Sequence, residues 1–216
     1  MFRRTLILGT ALAIAASALV VAQQQTPPSP PLSPPGSANA MVGAKWAKNA
    51  EGNMRAEGGK WLEVNYSRPS LRGRTNIFGS GADYGKAISG DNKLWRAGAN
   101  RNTTFKTEVP LMIGGKRVEP GTYAILIELK EPAWTFILTS QPRAGDGDSD
   151  TDKTKLSATS NYDPKFDVVR VPMTMLQPKA SIDQFTIGFV DMSDAGGKLA
   201  LAWEKTAALV PFTVAQ

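Results

Sequence analysis

The residue types able to do chemistry crowd into one run, residues 66–100, which carries YSRPS, then GR, IFG and LWRAGAN. Five arginines lie in it or just beyond: Arg68, Arg72, Arg74, Arg96 and Arg101. Each guanidinium is a planar fork that pairs bidentately with carboxylate or phosphate. With Tyr84 and Trp95 interleaved, the run reads as a pocket for a small anionic or sugar-like ligand. Its candidate site is Tyr66, Arg68, Arg74, Trp95, Arg96 and Asn100. The arginines would hold the anion, Asn100 would add a directional hydrogen bond, and Trp95 would supply an apolar wall. The same residues also have a purely structural reading. A long loop leaves carbonyls unpaired, and one arginine satisfies several of them. Gly73, Gly79, Gly85 and Gly98 then serve turns, while Pro69 sets the bend after a strand.

Carboxylates offer a second chemistry. A glycosidase needs two of them facing each other across a sugar bond. Glu63, Asp83, Asp91, Glu108 and Asp167 are available, but no spacing selects a pair. Asp83 or Asp167 would carry a carboxylate-driven hydrolase. Asp167 and Arg170 are three apart in an expected strand, so they should face opposite ways. Asp146, Asp148, Asp150 and Asp152 alternate as a weak calcium-loop candidate. An EF-hand register from Asp146 puts Thr151 at the glycine position and Ser157 at the glutamate position. From Asp148, Lys153 falls at the glycine position. A solvated loop is the better reading.

Whole classes of mechanism are excluded by composition. The 216 residues include no Cys and no His, which removes thiol nucleophiles, histidine triads and thiolate or imidazole zinc sites. No disulfide framework and no lipid-bearing cysteine is available, and no cofactor signature is present.

The segments around the run set its context. Arg3 and Arg4 precede an apolar stretch, residues 6–21, and Val20-Val21-Ala22 offers a cleavage site, so residues 1–22 read as a signal peptide. The apolar stretch falls short of the ~20 residues of a membrane span, though an uncleaved anchor is the alternative. The paired arginines leave the twin-arginine route open. Export to the periplasm or beyond the cell follows. Without residues 1–22 the chain has 23 basic and 19 acidic residues, a net +4, too mild and too scattered for a nucleic-acid partner.

Residues 23–40 contain prolines at 27, 28, 30, 31, 34 and 35 and read as a disordered semi-rigid linker. Residues 41–59 read as a weakly structured lead-in with room for one edge strand. Lys45, Lys48, Arg55 and Lys60 show no helical stripe, so they read as solubilising charges, with contact to an anionic envelope surface as the alternative. From residue 60 to 214 the apolar period is two. Strands are expected at 61–67, 103–109, 111–113, 123–129, 134–139, 166–171, 185–191, 198–204 and 208–214. Gly114-Gly115, Pro120-Gly121 and Gly196-Gly197 are expected turns. Trp61, Trp134 and Trp203 read as strand core. The pattern predicts a single antiparallel β-sandwich, with a closed, jelly-roll-like barrel as the alternative.

The YSRPSxxGR, FG and WRxGAN blocks resemble a bacterial family of unknown function, DUF2911. The likeness continues through GKRVEPGTYAI (115–125), AWTFIL (133–138), YDPKFDVVRVPM (162–173), QFTIGF (184–189) and LAWEKT (201–206). The resemblance implies a small exported protein with no established reaction, so it transfers no catalytic residue. It also implies an acidic residue after Asn100, where this chain has Arg101, and a Trp-Gly pair before Tyr162, where it has LSATSN. The reading of the whole is a non-enzymatic ligand-binding or envelope-associated β module, with a hydrolase or a purely structural protein as alternatives.

Overall fold

The structure, a computed structural model, describes residues 32–144 and 152–215. Its strands, in chain order, are β1 (Pro35–Val42), β2 (Lys45–Lys48), β3 (Met54–Glu57), β4 (Lys60–Ser67), β5 (Leu94–Trp95), β6 (Thr104–Thr107), β7 (Leu111–Ile113) and β8 (Lys116–Val118). After these come β9 (Gly121–Glu128), β10 (Thr135–Thr139), β11 (Asp167–Pro172), β12 (Thr174–Leu176), β13 (Ile182–Ser193), β14 (Gly196–Glu204) and β15 (Thr206–Val214). Between β4 and β5 run two 3-10 turns and one four-residue helix, α1 (Lys86–Ser89).

Two antiparallel sheets form a sandwich. One has the order β1-β4-β6-β9-β10-β11, with β5 continuing along the edge of β9 that β6 leaves. The other has the order β13-β14-β15-β7-β8, with β12 sharing the β15 edge. Neither sheet closes into a barrel, so the sandwich is the architecture. The alternation predicted from residue 60 onward places Leu62, Val64 and Tyr66 inward from β4, and Leu199, Leu201 and Trp203 inward from β14. A smaller cluster of Leu94, Ala124, Leu126, Ile137 and Leu156, with Tyr162 against it, buries a separate patch. Gly114 and Gly115, at φ +55° and +77°, join β7 to β8, the two positive values that a tight hairpin needs.

Several expectations change. Residues 35–40, expected in the linker, are strand: β1 pairs with β4 from Pro35↔Ser67 to Val42↔Lys60. Proline is tolerated because it begins an edge strand, where no ladder hydrogen bond is lost. The lead-in holds a second hairpin, β2 with β3. Gly196 and Gly197 are not the turn. Asp194-Ala195 is, and Gly196 starts β14 where a Cβ would sit 2.3 Å from the Phe212 carbonyl oxygen. Trp61 is not core; it is 48% exposed. The calcium-loop candidates Asp146, Asp148 and Asp150 lie outside the described residues. Asp152 accepts from the Thr154 amide and hydroxyl at 3.0 and 2.6 Å.

Candidate functional site

The excursion after β4 is fastened to the sandwich at both ends. Its first residues pair with the free edge of β13. Leu71 N–H donates to Asp183 at 2.9 Å, and Phe185 N–H donates to Pro69 at 2.9 Å. Further on, the Glu204 carboxylate at the end of β14 accepts from the Asn76 and Ile77 amides, the latter at 3.0 Å. Phe78 is thereby driven into a cluster of aromatic rings. Its ring lies 4.8 Å from Trp134, 6.2 Å from Trp95 and 6.3 Å from Trp203, and Trp95 stacks on Trp203 at 6.1 Å. Such pairs contribute about 0.5–1.5 kcal/mol each beyond their buried area. The indole N–H groups are all satisfied: Trp95 by the Gly98 carbonyl at 3.0 Å, Trp134 by the Tyr84 hydroxyl at 2.7 Å, and Trp203 by the Asp183 carbonyl at 3.1 Å.

Much of the arginine chemistry is directed at carbonyls. Arg68 donates to Phe185 O at 3.3 Å and to the Thr186 hydroxyl at 3.2 Å, with its stem against Gly36. Arg74 donates to Leu71 O at 2.9 Å and Ser70 O at 3.1 Å while lying 5.7 Å over the Trp203 ring. Arg96 donates to Asn100 O at 2.9 Å, and Arg72 to Leu32 O at 3.2 Å. Tyr66 is buried. Its hydroxyl accepts from Ile187 N–H at 3.0 Å and reaches Ile187 O at 3.3 Å.

A cleft of about 450 Å³ opens beside this lattice. Arg72, Arg74 and Arg96 line it with Trp95, Trp203 and Ile88, and no carboxylate is among its lining residues. Three of the six sequence candidates therefore meet there: Arg74, Trp95 and Arg96. The other three do not line it. Tyr66 and Arg68 are spent fixing β13, and Asn100 contributes its carbonyl, at φ +57°, to Arg96. Among the lining residues outside the candidate set are an arginine and an indole, Arg72 and Trp203. Arg72 belongs to the same basic run, and Trp203 was read as core. The indoles are only 3% and 4% exposed, so they offer the cleft an edge rather than an open face.

The candidate carboxylates stay apart from the cleft. Asp83 is exposed and pairs with Lys86 at 3.0 Å. Asp91 is exposed in a 3-10 turn. Glu63 accepts from Asn65, and Glu108 holds the Trp61 amide at 2.9 Å. Asp167 has a different setting, and here the sequence expectation is overturned: Asp167 and Arg170 do meet, at 3.4 Å. The β10–β11 register runs Ile137↔Arg170, Leu138↔Val169, then Thr139↔Asp167, skipping Val168. That bulge reverses the alternation and brings Asp167 onto the Arg170 face. Tyr162 donates to Asp167, and Arg170 also reaches Tyr162 at 3.1 Å and Glu128 at 2.7 Å. Burial raises the Asp167 carboxyl, against the lowering effect of Tyr162 and Arg170. Burial, then the Asp167 hydrogen bond and charge, push the Tyr162 hydroxyl well above its ordinary range. The other Asp167 oxygen, Oδ1, is buried with no hydrogen-bond partner among the described residues.

No curated protein and no solved structure matches the chain. A family model described as protein of unknown function (DUF2911) matches residues 48–212, spanning the arginine run, the aromatic cluster and every strand of the two sheets but β1 and the end of β15. The chain belongs to that family.

Proposed function

We propose that the protein is an exported, non-enzymatic binding module whose cleft takes a small anion carrying an apolar or sugar-like face. The observation that supports this reading is the lining itself. Three guanidinium groups and the edges of two indoles share a cleft of about 450 Å³ that contains no carboxylate. A cavity of that size suits a small ligand. Carbonyl bonds hold Arg72, Arg74 and Arg96 in place, and those of Arg72 and Arg74 use only part of each five-donor fork, so the cations are arrayed before a ligand arrives. Work beyond the cytoplasm fits the leader-like residues 1–22 and the absence of cysteine.

A thermal-shift series on inorganic phosphate, citrate, glucuronate and glucose tests it. A ligand at a hundred times its dissociation constant adds about 2.7 kcal/mol, several degrees for a chain of this size. The anions, and not glucose alone, should raise the melting temperature. Arg72→Ala should abolish the shift while the free protein melts as before, since Arg72 is exposed with one carbonyl bond. No shift with any anion, or a shift that survives both Arg72→Ala and Arg96→Ala, removes the reading. The competing structural reading, favoured by the carbonyl bonds of Arg68 and Arg74, predicts that result.

A further inference from the structure

The β1–β4 and β2–β3 ladders are one ribbon. Moving from Val42↔Lys60, three residues forward on one strand and three back on the other gives Lys45↔Glu57, so the register is unbroken. The interruption is two glycines in the left-handed region, Gly43 at φ +66° and Gly58 at φ +71°, with open space where each Cβ would lie. Sheet support also stops there. β6 pairs with β4 only from Leu62 onward, and β2 pairs only with β3. Beyond Trp61 the ribbon is a two-stranded arm, closed at its tip by Asn49 and Asn53. An isolated two-stranded arm is marginal in water.

Its side chains are unusual for a solvated arm. Trp46 is 63% exposed, Met54 56% and Trp61 48%. These are three of the six exposed large apolar residues among those described, all within one short stretch. Strand alternation puts Trp46, Lys48, Met54 and Ala56 on one face. Four cations, Lys45, Lys48, Arg55 and Lys60, stand against two acids, Glu51 and Glu57. None of the four forms an ion pair among the described residues.

We propose that this arm docks on an anionic lipid surface. Tryptophan settles at the headgroup level of a bilayer, and basic side chains beside it pair with anionic headgroups. The ribbon's unpaired edge N–H and C=O groups keep it in that wet layer and out of the hydrocarbon. Pairing with the arm of a second copy is disfavoured, because it would set two net-positive surfaces together. The proposal is independent of the arginine cleft.

Co-sedimentation of the full chain with phosphatidylcholine vesicles, alone and mixed with phosphatidylglycerol, tests it. The apolar residues 6–21 are common to every variant, so only differences between variants count. The anionic lipid should raise binding of the wild type. The double variant Lys48→Glu, Arg55→Glu should lower that partition by about tenfold or more, and salt should weaken it. As a second readout on an unperturbed arm, vesicles should shift tryptophan emission to the blue, and Trp46→Phe should remove most of the shift. Equal binding by wild type and double variant, or no emission change assignable to Trp46, overturns the proposal. So does a change in self-association, by sedimentation velocity, in place of lost lipid binding; that result would assign the arm to a second copy.

Discussion

Asp167 sits where a single bulged residue changes its neighbours. Reading β11 by strict alternation separates it from Arg170, and the skipped Val168 puts them together. Its side chain is 10% exposed, so the carboxylate is desolvated more than its one arginine compensates. Because burial raises this carboxyl, the folded chain holds its proton more tightly than the unfolded chain does. The associated stability is present at acid pH and is lost as pH rises through the folded value. Asp167→Asn keeps an acceptor for Tyr162 and removes the titration. From about pH 4 upward, wild type should therefore lose melting temperature relative to the variant, read by calorimetry across a pH series. Parallel curves would mean that Asp167 titrates alike in both states. The arginines teach a similar lesson. Their number and clustering were legible in the sequence, but whether a guanidinium faces a carbonyl, a ring or a cleft was not. Arg68 and Arg74 differ by six positions, and one closes onto β13 while the other lies over Trp203.

The long excursion between β4 and β5 is held by side chains more than by its own secondary structure. Its longest helix is four residues, too short to stand alone. Glu204 fastens two of its amides, at a residue itself held at φ +54°. Glu204→Ala should leave those donors unpaired next to the buried Phe78. The expected cost is about 2 kcal/mol, a fall in melting temperature of roughly 4–8 °C. The variant should also gain protease sensitivity within residues 72–93. An unchanged melt would show that water replaces the carboxylate. The brace was not readable beforehand, since Glu204 lies 127 residues from Ile77 in the chain. Of the strands flanking the excursion, β4 was readable because its apolar residues alternate, whereas β5, two buried residues long, shows no period.

For the molecule as a whole, β1 is the strand that closes the β4 side of the first sheet. Ala38 and Ala40 pack on the core, Val42 is fully buried, and the strand covers β4 along its whole length. A chain beginning at Gly43 should melt below one beginning at Pro31 and should self-associate, since β4 then presents an open edge. Equal melting and a monomer by light scattering would show that β1 is dispensable. β1 escaped the sequence reading for a physical reason. Its inward residues are small, and its proline and glycine carry loop signals that only pairing with β4 overrides.

What the sequence by itself determined is the all-β class, the longer sandwich strands from residue 60 onward but not the short β5, β8 and β12, the membership marked by its motif blocks, and the exclusion of thiol and imidazole chemistry. These depend on residue type and on near neighbours along the chain. The tertiary structure alone decided which arginines share a cleft with Trp95 and Trp203, that Asp167 meets Arg170, and that residues 45–57 extend as an arm. Those outcomes rest on register and on contacts such as that between Tyr66 and Ile187, 121 residues apart. No local period carries such a separation, because it is set only when the two sheets close on one core.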